Sequence, residues 1–133
     1  VVKDYGDIPV IACFPGQLNQ VFMNILANAI DALDEASQTC SFADLEVHPQ
    51  NITIRTEVDR QQVKIVIADN GTGIPESLQS KIFDYLFTTK DVGKGSGLGL
   101  AIARQIIVDT HKGNLDMQSK IGQGTEFCIR LPL

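Results

Sequence analysis

Gly93-Lys94-Gly95-Ser96-Gly97-Leu98-Gly99-Leu100 runs without a break into Ala101-Ile102-Ala103, within an apolar helical stretch over residues 98–110. Four glycines at every second position free backbone N–H groups to wrap an anion. The helix behind them adds its N-terminal dipole and unpaired donors. The segment reads as a phosphate cradle. It is not a Walker A loop, which needs Gly-Lys-Ser/Thr after four spacers. Nor is it the Rossmann fingerprint, which needs a βαβ unit and a ribose-binding acid around it.

The rest of the chain agrees in lacking the regular β-α alternation of a doubly wound fold. Residues 10–14 form a short apolar run ended by Pro15-Gly16, which predicts a strand. A helical period follows over residues 17–35. Residues 51–59 alternate, with Ile52 and Ile54 set against Thr53 and Arg55, and residues 62–68 make a second β-rich run. Residues 75–83 suit a short helix with Pro75 at its start. Two closing strands, 115–119 and 126–131, flank Ile121-Gly122-Gln123-Gly124. The order β-α-β-β-α-α-β-β predicts a mixed, largely antiparallel sheet with helices on one face. Residues 36–50 are polar and read as a surface loop. Residues 84–97, rich in glycine and charge, read as a mobile segment.

With 133 residues, 44% of them hydrophobic, the chain has enough apolar content to close one core. No apolar run approaches the ~18 residues that a membrane helix needs. The opening Val1-Val2-Lys3-Asp4-Tyr5 looks like a cut within a longer protein, so anchoring elsewhere stays open. Eleven basic against sixteen acidic residues give a net charge of −5, which disfavours a nucleic-acid partner. Cys13, Cys40 and Cys128 form no CxxC. Cys13 and Cys128 sit in apolar stretches and read as small buried hydrophobes, in keeping with a cytoplasmic setting.

Two further segments carry chemistry. Along the first helix Gln20, Asn24, Asn28, Asp31 and Glu35 fall within an arc of roughly 80° at about 100° per residue. Leu18, Phe22, Ile25, Leu26, Ala29, Ala32 and Leu33 fill the opposite side. A merely solvated face is usually built from Lys, Glu, Gln or Arg, and Asn costs several tenths of a kcal/mol in a helix interior. An amide oxygen can instead ligate a hard cation such as Mg²⁺. The second segment, Asp69-Asn70-Gly71-Thr72-Gly73-Ile74-Pro75, follows a β-rich run. It reads either as a strand-ending turn or as a thin backbone against which a ligand lies, with Asp69 accepting from an amino group.

Together these segments resemble the ATP-binding catalytic domain of sensor histidine kinases, relatives of DNA gyrase, the large heat-shock chaperone and the mismatch-repair ATPases. The resemblance spans about residues 15–133. The stretch from Gln20 to Ala32 resembles the N box, with Asn28 at the Mg²⁺-binding asparagine and Asn24 one turn before it. Asp69, Gly71 and Gly73 match the G1 box, whose aspartate reads the adenine amino group. Residues 81–90 resemble the F box, with Phe83, Phe87 and Lys90. Residues 93–100 resemble the G2 box that closes the ATP lid. Gly122, Gly124, Thr125 and Phe127 match the last strand pair, where the threonine backs the adenine pocket.

The resemblance implies an α/β sandwich, a mixed five-stranded sheet under three helices with a mobile lid, as a single domain over residues 1–133. It implies Mg-ATP as cofactor. Asn28 is the metal ligand. The nucleotide set is Asn28, Asp31, Asp69, Gly71, Gly73, Ile74, Phe83, Phe87, Lys94, Gly95, Ser96, Gly97, Leu98, Gly99, Leu100 and Thr125. Asn24 and Lys90 are the catalytic candidates, and Lys90 and Lys94 bring positive charge to an acidic domain. Ser96 stands where threonine is frequent, and Tyr85-Leu86 replaces the usual Pro-Phe. The phosphoacceptor motif is absent: His48 lacks the following acid, and His111 marks a helix end. The acceptor histidine is therefore expected on an upstream dimerisation domain. A response-regulator receiver domain, a homodimeric full-length protein and a cytoplasmic location are expected with it. ATP hydrolysis, a serine-protein kinase of the anti-sigma type and a non-catalytic ATP sensor are the rival readings. Hydrolytic relatives carry a glutamate where this chain has Asn24, which favours the kinase.

Overall fold

The computed structural model describes residues 2–39, 49–79, 82 and 99–133. In chain order these form β1 (Val2–Tyr5), α1 (Pro15–Thr39), β2 (Ile52–Asp59), β3 (Gln62–Asp69), α2 (Glu76–Gln79), α3 (Gly99–Gln105), β4 (Asn114–Lys120) and β5 (Gly124–Pro132). Between α3 and β4 the helix runs on as a π-helical turn, Ile106–Thr110. The strands make one sheet in the order β1-β2-β3-β5-β4. β1 lies parallel to β2, and the other pairings are antiparallel. This is the mixed five-stranded α/β architecture that the sequence leads one to expect.

Period-2 patterning sorts the strand residues into two faces. On the helix side, paired residues line up in rows across the sheet. One row is Ile54, Ile67, Phe127 and Met117; the next holds Ile65, Ile129 and Leu115; a third holds Val63 and Leu131. Against them α1 sets Leu18, Val21, Ile25, Ala29 and Leu33, spaced three and four apart as a helix face requires. Ala103, Ile106 and Ile107 close the layer from α3 and the π turn. Burying each such Val, Leu or Ile contributes roughly 1.5–3 kcal/mol, so this layer is the source of the fold's stability. The opposite face carries ion pairs between Arg55 and Asp4, Lys64 and Glu57, and Arg130 and Asp116.

Several boundaries differ from the sequence reading. Residues 10–14 join no strand, and the first strand is Val2–Tyr5. The apolar run lies between Pro9 and Pro15, and Ile11 and Cys13 pack on the core without a sheet partner. Phe14 N–H donates instead to His111 Nε2 at 3.0 Å, and the Phe14 and His111 rings meet edge to face. A backbone N–H can only donate, so Nε2 is the bare nitrogen and Nδ1–H donates to the Ile106 carbonyl at 2.9 Å. His111 is thus a structural bolt between the start of α1 and the end of the π turn.

Helix α1 continues through Ala36, Ser37, Gln38 and Thr39, which the sequence reading assigned to a loop. No glycine or proline interrupts it there, and Ser37 Oγ donates back to the Asp34 carbonyl. The helix expected over residues 75–83 is described as Glu76–Gln79, and that over 98–110 as α3 plus the π turn. Cys13 is half-buried against the core as expected. Cys128 is not a core residue. It alternates with the buried Phe127 and Ile129, so it faces the ion-paired side, where partial burial pushes its thiol pKa up.

Candidate functional site

At one end of the sheet the helix-facing rows stop being apolar. Ile52, Asp69, Thr125 and Ser119 are successive partners across β2, β3, β5 and β4. Three of the four are polar, and Thr125 is buried. The Asp69 carboxylate accepts from Gly71 N–H at 2.9 Å and from the Thr125 backbone N–H. Burial nevertheless dominates and pushes the Asp69 carboxyl above its ordinary range, with the two N–H donors pulling the other way. Such a carboxylate is aimed and desolvated, and it can accept one further strong hydrogen bond.

The glycine-rich turn after Asp69 is welded to the β4–β5 hairpin. Ile74 N–H donates to Ser119 Oγ at 2.7 Å, and Gly122 N–H donates to the Thr72 carbonyl at 2.9 Å. Gln79 Nε2 bridges the Ile74 and Ser119 carbonyls at 2.9 and 3.1 Å. Asn70 fixes the other side, its Oδ1 accepting from Asn51 N–H at 2.7 Å. Sequence reasoning missed Ser119 and Gln79, because a serine in a strand and a glutamine in a short helix carry no positional signal.

The glycines of this turn serve the protein as well as any ligand. A Cβ on Gly71 would stand 2.8 Å from the Ala32 backbone of α1. Gly73 has φ +78°, and a Cβ there would run into the Lys120 carbonyl. Close packing of the turn on α1 and on the hairpin is what both positions demand. The thin backbone expected to lie against a ligand is therefore used first for internal contacts.

Helix α1, which carries the polar stripe, meets this end where Gly71 packs on the Ala32 backbone. Asn24, Asn28 and Asp31 are all half-buried, whereas the open line of the helix carries Met23 and Ile30, 66% and 52% exposed. The middle of the stripe is thus partly covered, whereas its two ends, Gln20 and Glu35, are exposed to water. Asn24 Nδ2 donates to the Gly99 carbonyl at 3.0 Å, tying α1 to the start of α3. Ile74 and Leu100 pack against the core beside it. Among the described residues no three His, Cys, Asp or Glu side chains gather as a metal cage. A polar cleft between Asp59, Arg60, Gln62, Asn114 and Arg130 lies at the opposite strand ends and joins no part of this site. The expected contributions of Phe83, Phe87, Lys90, Lys94, Gly95, Ser96, Gly97 and Leu98, and His48 with them, fall outside the described residues.

Residues 14–133 match the family of histidine kinase-, DNA gyrase B-, and HSP90-like ATPases. The chain belongs to this family. As a histidine kinase-, gyrase B- and HSP90-like ATPase domain it is an ATP-binding domain, and its relatives are named as kinases. It is 36% identical over 127 residues to sporulation kinase E of Bacillus subtilis, covering 96% of this chain and 15% of that protein. It is 35% identical over 134 residues to the sensory histidine kinase/phosphatase NtrB of Proteus hauseri, covering 100% of this chain and 37% of that protein. Among solved structures, the nucleotide-free catalytic domain of histidine kinase ThkA superposes with a TM-score of 0.77 at 29% identity. That match covers 98% of this chain and 76% of the other. The ATPase domain thus spans a minor part of the curated relatives' length. No helix among the described residues is long and apolar enough to cross a membrane.

Proposed function

We propose that this domain binds Mg-ATP and passes the γ-phosphoryl group to a histidine on an upstream dimerisation domain, as the catalytic part of a two-component sensor kinase. The observation that carries the reading is the polar row Asp69–Thr125–Ser119 at one sheet end, followed by a Gly71 turn packed on Ala32 of α1, the helix whose Asn24, Asn28 and Asp31 are half-buried. Asp69 accepts from the adenine amino group, and Ile74 supplies an apolar wall. The donor set suits magnesium, a hard cation that takes one or two protein oxygens and fills its shell with phosphates and water. Asn28 would hold it, with the Asp31 carboxylate one turn further along. Bound there, the ion supplies charge neutralisation on the phosphates, which is most of what phosphoryl transfer asks of a catalytic domain. The resemblance assigns phosphate binding to the glycine-rich residues 93–100 and added positive charge to Lys90 and Lys94. A homodimeric, cytoplasmically exposed kinase acting on a response-regulator receiver domain completes the proposal.

Hydrolysis is the rival chemistry, and Asn24 speaks against it. An amide cannot take a proton from water near neutral pH, and this one already donates to the Gly99 carbonyl. The deciding assay follows γ-³²P from ATP. The chain alone should bind ATP and release little phosphate. Adding the separately expressed upstream helical domain should give acid-labile, base-stable label on that domain. Brisk phosphate release by the chain alone, in a preparation free of contaminating ATPases, would replace the kinase reading with the ATPase one.

The metal role has its own test. Asn28→Ala should weaken ATP binding in Mg²⁺ by about tenfold, equivalent to ~1.4 kcal/mol, and leave binding in EDTA nearly unchanged. Equal loss in both conditions would make Asn28 a packing residue.

A further inference from the structure

The Ser119 hydroxyl has three partners, and their chemistry leaves it no freedom. Ile74 N–H can only donate, and it reaches Ser119 Oγ at 2.7 Å. The Gly124 carbonyl can only accept, and it lies 3.0 Å from the same oxygen. The single Ser119 proton therefore goes to Gly124. The third contact, 2.8 Å to Thr125 Oγ1, must then be donated by threonine. With its proton committed to Ser119, the buried Thr125 hydroxyl offers only lone pairs to anything beside it. Its neighbour across the strand pair, Asp69, is an acceptor too.

We infer that Ser119 is a positioning residue for base selection: by capturing the Thr125 proton it makes the floor of the pocket acceptor-only, so that the pocket takes bases presenting an amino group and rejects those presenting a carbonyl. The inference rests on the adenine-site reading above. Without Ser119 the Thr125 hydroxyl can turn and donate, and a carbonyl base finds the donor that it lacks in the native pocket. Ser119 touches no ligand in this scheme; it acts through Thr125.

The test measures affinities of the 133-residue chain for ATP and for inosine triphosphate, which replaces the amino group by a carbonyl and turns the neighbouring N1 from an acceptor into an N–H donor. The native chain should prefer ATP by at least about thirtyfold, and Ser119→Ala should narrow the ratio by about tenfold. In the Thr125→Val background the same Ser119→Ala change should leave the ratio where it was. Thermal melts establish that the variants remain folded. Should Ser119→Ala fail to fold, Thr125→Val alone decides. An acceptor-only hydroxyl predicts that Thr125→Val weakens ATP binding without weakening inosine triphosphate binding. Equal losses for both nucleotides, or none for either, overturn the inference. So does a folded Ser119→Ala that keeps the native ratio, or that narrows it equally without the threonine hydroxyl. A native chain that does not distinguish the two nucleotides, or an Asp69→Asn variant that still does so fully, would bring down the adenine-site reading itself.

Discussion

Asp69→Asn should lower ATP affinity by about a hundredfold and at the same time make the protein more stable at neutral pH. The loss follows from replacing an acceptor by an amide whose NH2 meets the adenine amino group donor to donor. A hydrogen bond to a charged group contributes ~1.5–3 kcal/mol, and mismatched polar groups add to the loss. The gain follows from the raised carboxyl pKa. Between the ordinary aspartate range and the raised folded value, the native state holds more protons than the unfolded chain. Stability therefore falls as pH rises through that window and stays lower above it. Removing the charge removes the penalty. Melting temperatures of the two proteins should differ in favour of Asp69→Asn at pH 7 and converge on acidification below the ordinary carboxylate range. A variant less stable than the native chain at pH 7 would show that the Gly71 and Thr125 N–H bonds outweigh desolvation. GTP competing within about threefold of ATP against the native chain would remove Asp69 from base recognition.

Gly124→Ala should be the most damaging single change to the fold among the glycines at the hairpin. Gly124 has φ +117°, a region that residues with a Cβ scarcely enter, and an added Cβ would run into the Asp69 carbonyl and stand 2.8 Å from Asn70 Cα. Strain and overpacking together come to about 3–5 kcal/mol. Those neighbours are backbone atoms of the strand that carries Asp69, so the damage reaches the site directly. Gly122 is the internal control. It has φ +81° but nothing within 4 Å of its Cβ position, so Gly122→Asn should cost no more than about 1 kcal/mol. Denaturant unfolding of both variants measures the difference. Equal midpoints would mean that the hairpin yields freely.

The sequence carried the centre of the sheet better than it carried the edges of the fold. Asn24 and Asn28 stood out because asparagine is a poor choice for a solvated helix face, and both are half-buried along with Asp31, although Gln20 and Glu35 of the same stripe are exposed. β2 was legible from alternation, β3 from its β-rich composition, and β4 and β5 as the closing strands on either side of Ile121-Gly122-Gln123-Gly124. β1 was not, because all four of its residues are exposed and Val2–Tyr5 is held by pairing with β2 rather than by a buried face. The apolar residues 10–14 drew the strand reading instead, although two prolines bound them. Gly71 and Gly73 announced close approach correctly but not to what; the approach is to Ala32 and Lys120. Ser119 was invisible, since its importance lies in three partners brought together only by the register of β4 on β5.

Because Asp69, Thr125 and Ser119 occupy the last row of the sheet, that end can open without uncovering the three apolar rows behind it. Amide hydrogens then divide into two exchange classes. Those of the apolar rows on β3 and β5 exchange through global unfolding, and those around residues 70–75 and 120–125 through cheaper local opening. A ligand binding at the polar row, as proposed, should protect the second class first, in proportion to its saturation, and reach the first class only through its addition to overall stability. On that arrangement the polar end is expected to loosen and tighten while the apolar rows stay closed.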